Sequence, residues 1–390
     1  MKKLIFAILS TGLITVFVNA QKAKVVVLGV GHSTQLVNFN QQPSAIRAFI
    51  DRVNPRAVCV ERSPEEFSKN DFYEFTFEQQ YVIVPYAREK RLPLYPIDWL
   101  PSENDMDLAF GMKDLEVPKF TRQKNGFLGF TTFKEKQDFE DDFYFADKKS
   151  YKDSIASWYN TSPDKTSFDF PRRLFLYRTF LQSARIQKVL ENYKETDTIL
   201  VVIGAFHKND IEKNLKEKGY EIIQPSSFGE ISEKEIRDNF KKQDAFAILS
   251  FNLLGMQSYL EKVNIQLINS AFDYLKDDHS SETEFFRIKY NIYQKNISSK
   301  EAINRYNALL NNLEEQQFSW NGVKNKSRID SYFDPFGNLS LKQRIRLELA
   351  REFFHLSNKD KYQKEIQLLT AEFKGYKKEM LQNYIEQFIK

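Results

Sequence analysis

Two stretches far apart in the chain share one pattern of apolar and polar positions. Lys24 to His32 reads Lys-Val-Val-Val-Leu-Gly-Val-Gly-His, and Thr198 to His207 reads Thr-Ile-Leu-Val-Val-Ile-Gly-Ala-Phe-His. Each is an unbroken run of β-branched and aliphatic residues, too short for a buried helix and too continuous for a half-exposed strand. Such runs predict strands buried on both faces. Between them, Ile46, Phe49, Ile50 and Val53 recur at helical spacing over Pro43 to Val53, and Pro55 stops that helix. Ala57-Val58-Cys59-Val60-Glu61 predicts a second buried strand, Glu65 to Arg91 a largely helical stretch, and Pro93 to Asp98 a third strand. Leu174, Tyr177, Leu181, Ile186 and Leu190 place a helix over Phe170 to Tyr193, Asn209 to Lys218 continues as helix, and Tyr220 to Ile223 reads as a last strand.

Strands alternating with helices in this order predict an α/β fold with a mixed, mainly parallel sheet and helical crossovers. Past Ser227 the pattern changes to a series of amphipathic helices. In the last of these, Ile366, Leu369, Phe373, Tyr376, Met380 and Tyr384 keep a 3-and-4 spacing. The expected organisation is an α/β domain over 21–228 and a C-terminal all-helical region over 229–390, which either covers the sheet or is appended to it. Residues 101–165 carry much Asp, Lys and Phe with weak periodicity, and read as an insertion or lid over the sheet edge.

The chain ends and the composition narrow the setting. Met1-Lys2-Lys3, an apolar run from Leu4 to Val18 and a small residue at Ala20 match the three parts of a secretory signal peptide, with cleavage expected after Ala20. The apolar run is shorter than the roughly 20 residues that span a bilayer. The mature chain is therefore expected to be exported, periplasmic or secreted, with no stable membrane span. Cys59 is the single cysteine, so no intrachain disulfide can form. The net charge of +4 falls to +2 without Lys2 and Lys3, and both signs are interspersed. That pattern points to no nucleic-acid partner.

The chemistry follows from where the ionisable residues fall. With 13 glycines in 390 residues and four histidines, a glycine three before a given histidine has a chance of about 1 in 30. Both apolar runs end in Gly-x-x-His, a coincidence of roughly one in a hundred. In parallel sheets the carboxyl ends of the strands share one edge, and ligands bind in the crevice outside it. His32, Glu61, Asp98 and His207 all sit at or just past such ends. Two imidazoles with one or two carboxylates suit a divalent cation such as Mn, Co, Zn or Fe. With one coordination position open, such an ion supports hydrolysis. Glu61 would be a ligand or the general base, and Asp98 a fourth group or a turn cap. Arg178 would neutralise a substrate carboxylate or pair with Glu61. Glu78, one helix back, either projects into the crevice or belongs to a solvated helix face, the second being the favoured reading. There is no Gly-x-Ser-x-Gly elbow.

Gly29-Val30-Gly31-His32, Glu61 at the close of the second strand and Gly204-Ala205-Phe206-His207 together resemble the TraB/Tiki superfamily, with erythromycin-esterase and ChaN-like proteins as more distant relatives. The similarity spans roughly Lys24 to Gln224 and includes Arg178, which matches a family arginine but is flanked by Tyr177 and Thr179 rather than the usual acidic and Asn or Asp neighbours. The resemblance implies a metal-dependent hydrolase acting on a peptide, amide or ester bond of a peptide or small-molecule substrate. Its ChaN-like branch implies an alternative, a non-catalytic metal or haem binding protein.

Overall fold

The computed structural model describes residues 22–99, 130–161, 170–313 and 317–389. The signal peptide expected over 1–20 lies outside the described residues, as do 101–129 and 162–165 of the lid expectation.

Five strands form one sheet: β1 (Lys24–Val30), β2 (Ala57–Val60), β3 (Leu94–Pro96), β4 (Thr198–Gly204) and β5 (Ile222–Ile223). Their order is β3-β2-β4-β1-β5, and every neighbouring pair is parallel. The strand that ends in the second Gly-x-x-His motif is thus inserted between β1 and β2. Register pairs Val30 with Gly204, and Val60 with both Val202 and Pro96, so the carboxyl ends lie nearly level along one edge.

Alternation along the strands divides the core. Val26, Leu28, Val58, Val60, Leu200 and Val202 face one apolar cluster, and Val25, Val27, Cys59, Ile199, Val201 and Ile203 face the other. This explains the unbroken apolar runs, since both faces are covered. The first cluster takes in α1 (Pro43–Val53) and α2 (Val84–Glu89). The second takes in Ile186 and Leu190 of α4 (Phe170–Leu190) and Ile211 and Leu215 of α5 (Ala205–Glu217). Between β2 and α2 the helical reading changes in detail. Glu78–Ile83 is π-helical and runs into α2 just before Pro85, whose ring nitrogen cannot continue the hydrogen-bond ladder.

The C-terminal helices join the α1 side. Arg47 of α1 donates to both carboxylate oxygens of Asp244 at 2.6 and 2.8 Å, and Asn252 donates to the Leu36 carbonyl at 2.6 Å. Phe246, Phe251, Phe285 and Tyr306 extend the same apolar cluster as the strands. The single last helix expected from the 3-and-4 spacing is two, Lys359–Ala371 and Gly375–Phe388, with Gly375 in the left-handed region at φ 51°. Residues 130–161 contain α3 (Lys149–Asn160); Phe130 is buried against Tyr384 and Phe388, and Ala146 lies against the β1 end. Among the described residues no helix is long and apolar enough to cross a membrane.

Candidate active site at the carboxyl edge of the sheet

The inserted strand brings the two motifs side by side, and their glycines make the contact possible. A Cβ on Gly204 would lie 2.6 Å from His32 Nε2 and 3.3 Å from Glu61 Oε2, so the imidazole and the carboxylate meet in the space a side chain would fill. At Gly29 a Cβ would lie 2.8 Å from Ala146 Cβ and 3.0 Å from the Ala205 backbone, which lets α5 start close to β1. His207 therefore sits in the first turn of α5 rather than on a strand end.

Each imidazole is oriented through its Nδ1. His32 donates from Nδ1 to Glu78 Oε1 at 2.7 Å, and the other oxygen of Glu78 accepts the Ser33 N–H at 3.2 Å. Ser33 holds a left-handed backbone, φ 61°, which a serine adopts only when its surroundings compel it. Thr179 Oγ1 lies 2.9 Å from the Phe175 carbonyl oxygen and 2.6 Å from His207 Nδ1, and its one proton serves one of the two. With the Thr179 proton on the carbonyl, the proton of His207 is on Nδ1 and its Nε2 carries a lone pair. Phe175 stacks on the same ring, 4.6 Å between centroids and 17° between planes.

Both Nε2 atoms face Glu61, His32 at 3.5 Å from Oε2 and His207 at 3.7 Å from Oε1. Glu61 is 2% exposed and also accepts from Gly204 N–H at 2.6 Å and from Arg178 at 2.9 Å. The sequence-predicted residues His32, Glu61, Asp98, Arg178 and His207 are all brought into this one cluster. Asp98 is filled from the protein: Oδ1 accepts from Arg178, Gln182 and the Trp99 N–H, each at 2.8 Å, and Oδ2 from Arg178 at 2.5 Å and Tyr73 at 2.8 Å. A carboxylate offers about four lone-pair sites. Asp98 thus anchors Arg178 and has no lone pair left for an ion.

The protonation states follow from these contacts. Burial works against a charged His32, but Glu78 and then Glu61 outweigh it and hold its pKa up at about 9. Burial, then Arg178, pushes His207 well below the usual imidazole value, leaving it neutral. Burial raises Glu61 above the usual carboxyl value, although His32 and Arg178 pull it down. Burial also opposes charge on Asp98, yet Arg178 holds it at about 2. Cys59, buried in β2, has its thiol pushed up by burial to about 12 and offers no nucleophile.

The donor set bears on cation binding through its geometry and its charge. His207 Nε2 and Glu61 Oε1 are two acceptors facing each other, and the separations of 3.5 and 3.7 Å exceed a hydrogen bond yet suit neighbouring ligands on bonds of about 2 Å. Three carboxylates, Glu61, Glu78 and Asp98, face Arg178 and the His32 imidazolium, and Arg185 adds a third cation at the Asp98 carbonyl. Among the described residues no three His, Cys, Asp or Glu side chains form a group that could hold a metal ion as they stand.

For Glu78 the favoured reading as a solvated helix face fails, and its alternative, projection toward the crevice, holds. Glu78 is 0% exposed, stands at the start of the π-helical stretch and holds His32. Thr179, Phe175, Tyr73 and Gln182 had no sequence signal beyond proximity to Arg178 or to the third strand. Surface grooves of about 440 Å³ at Phe272 and Tyr290 and about 700 Å³ at Phe143 and Tyr144 include none of these residues. Comparison of the chain with protein-family models, curated proteins and solved structures finds no match.

Proposed function

We propose that this chain is an exported metal-dependent hydrolase of the TraB/Tiki superfamily, in which His32 Nε2, His207 Nε2 and Glu61 hold one divalent cation, Mn, Co, Zn or Fe. The observation that carries the reading is that both imidazoles, each fixed through Nδ1, turn Nε2 toward one buried carboxylate. Once bound, such a cation supplies Lewis-acid polarisation of a carbonyl and a lowered pKa for water. The substrate is a peptide or small molecule with a peptide, amide or ester bond.

The chain's own groups have distinct tasks. Glu78 and Thr179 meet the Nδ1 atoms as the outer contacts that orient metal-binding histidines, and His32, an imidazolium without the ion, would give up its Nε2 proton on binding it. Gly204 N–H and Arg178 each occupy one lone pair on Glu61, leaving one per oxygen for a ligand bond or for accepting a proton. Arg178 is 22% exposed at its side chain, enough to meet a substrate oxygen while Asp98 holds it. Metal analysis of purified protein beside the His32→Ala/His207→Ala double variant tests this. Bound metal in the parent and none in the variant is expected; equal content in both would overturn it.

A further inference from the structure

Beside His207 the surface is aromatic. Phe206, inside the second Gly-x-x-His motif, is 47% exposed, and Trp158 of α3 is 38% exposed. Their rings stand edge to face at 6.2 Å, and both meet Phe175 in the same way, at 6.3 and 5.5 Å. Tyr151 backs Phe206 at 6.5 Å, and Arg172 lies over the indole at 5.7 Å. Phe175 is the ring stacked on His207. Three elements separate in sequence, α3, α4 and α5, therefore build one half-exposed ledge that is continuous with the imidazole.

Its size decides what it can hold. Aromatic side chains bury about 150–250 Å² each, so the exposed parts of these two offer roughly 150–200 Å². A stable protein interface takes about 800 Å² from each partner. The ledge suits one side chain. The two ring-to-ring steps from His207, 4.6 and 6.3 Å, span at most about three residues of extended chain at 3.3–3.6 Å each.

We infer that Trp158 and Phe206 form a specificity subsite that takes an aromatic side chain of the substrate within about three residues of the cleaved bond. As a cleavage subsite this rests on the hydrolase reading, but binding at the ledge is measurable without turnover. In ligand-observed NMR titrations of the purified full chain, N-acetyl-phenylalanine amide should bind at least fivefold more tightly than N-acetyl-alanine amide. Trp158→Ala and Phe206→Ala should each erase most of that preference while the chain still melts cooperatively, since both side chains are only about half buried. The His32→Ala variant, which leaves the stack of Phe175 on His207 in place, should keep it, so a failed metal test leaves the ledge standing. Equal binding of the two probes by the parent chain, or a preference that survives both ledge substitutions, would overturn the assignment. So would self-association that Phe206→Ala abolishes while no probe preference exists, which would make the ledge a contact between copies.

Discussion

Gly204 lies under the gap between strands so closely that a methyl group there would stand 2.6 Å from His32 Nε2. Its backbone N–H at the same time donates to Glu61 at 2.6 Å. The glycine of the second motif thus serves the histidine of the first. Gly204→Ala should cost about 1–3 kcal/mol from overpacking and displace His32 or Glu61. A chain that melts cooperatively but has lost its bound metal is the expected result; unchanged metal content would refute this role for the glycine.

Thr179 and His207 give a second expectation. Thr179→Val keeps the shape but removes the acceptor that holds the proton on Nδ1. Loss of such an outer contact typically weakens metal binding about 10–100-fold. Competition with a chelator should show that drop for Thr179→Val and little change for Thr179→Ser.

The pH dependence of stability follows from His32. Its folded pKa, about 9, lies above the ordinary 6.5, because Glu78 and Glu61 outweigh burial. The imidazolium therefore stabilises the metal-free fold fully below pH 6.5, and the contribution is lost as pH rises through 9. The melting temperature should fall between pH 7 and 10 more steeply in the parent than in His32→Gln. In an NMR titration Glu78→Gln should bring the His32 pKa down.

Arg178 joins Glu61 to Asp98 inside the cluster. Arg178→Met leaves two buried carboxylates without their cation and should cost about 3–5 kcal/mol in denaturant unfolding. Adding Asp98→Asn should recover part of that loss. Strictly additive losses would show that Asp98 and Arg178 do not act as a pair.

Much of the architecture was legible along the chain because it depends on local pattern. Apolar runs with β-branched residues marked β1, β2 and β4, and helical spacing marked α1 and α4. Parallel strands put chemistry at their carboxyl ends, so His32, Glu61 and His207 could be named without coordinates. Glu78 could be named only as the less favoured of two readings, since helical spacing assumes 3.6 residues per turn and it stands at the start of a π-helical stretch. The two separate final helices were hidden for a similar reason: Gly375 breaks the path while the apolar spacing continues across it.

Residue order alone carries the strand and helix periods, the paired Gly-x-x-His motifs and the identity of the central groups, because these are properties of neighbouring positions. Folding adds the placement of β4 between β1 and β2, the proton positions on the two imidazoles and the ledge of Phe206 and Trp158. Each of these joins atoms remote in the chain. Their separation is governed by which strands pair and which side chains are shut away from water, and no local spacing encodes that.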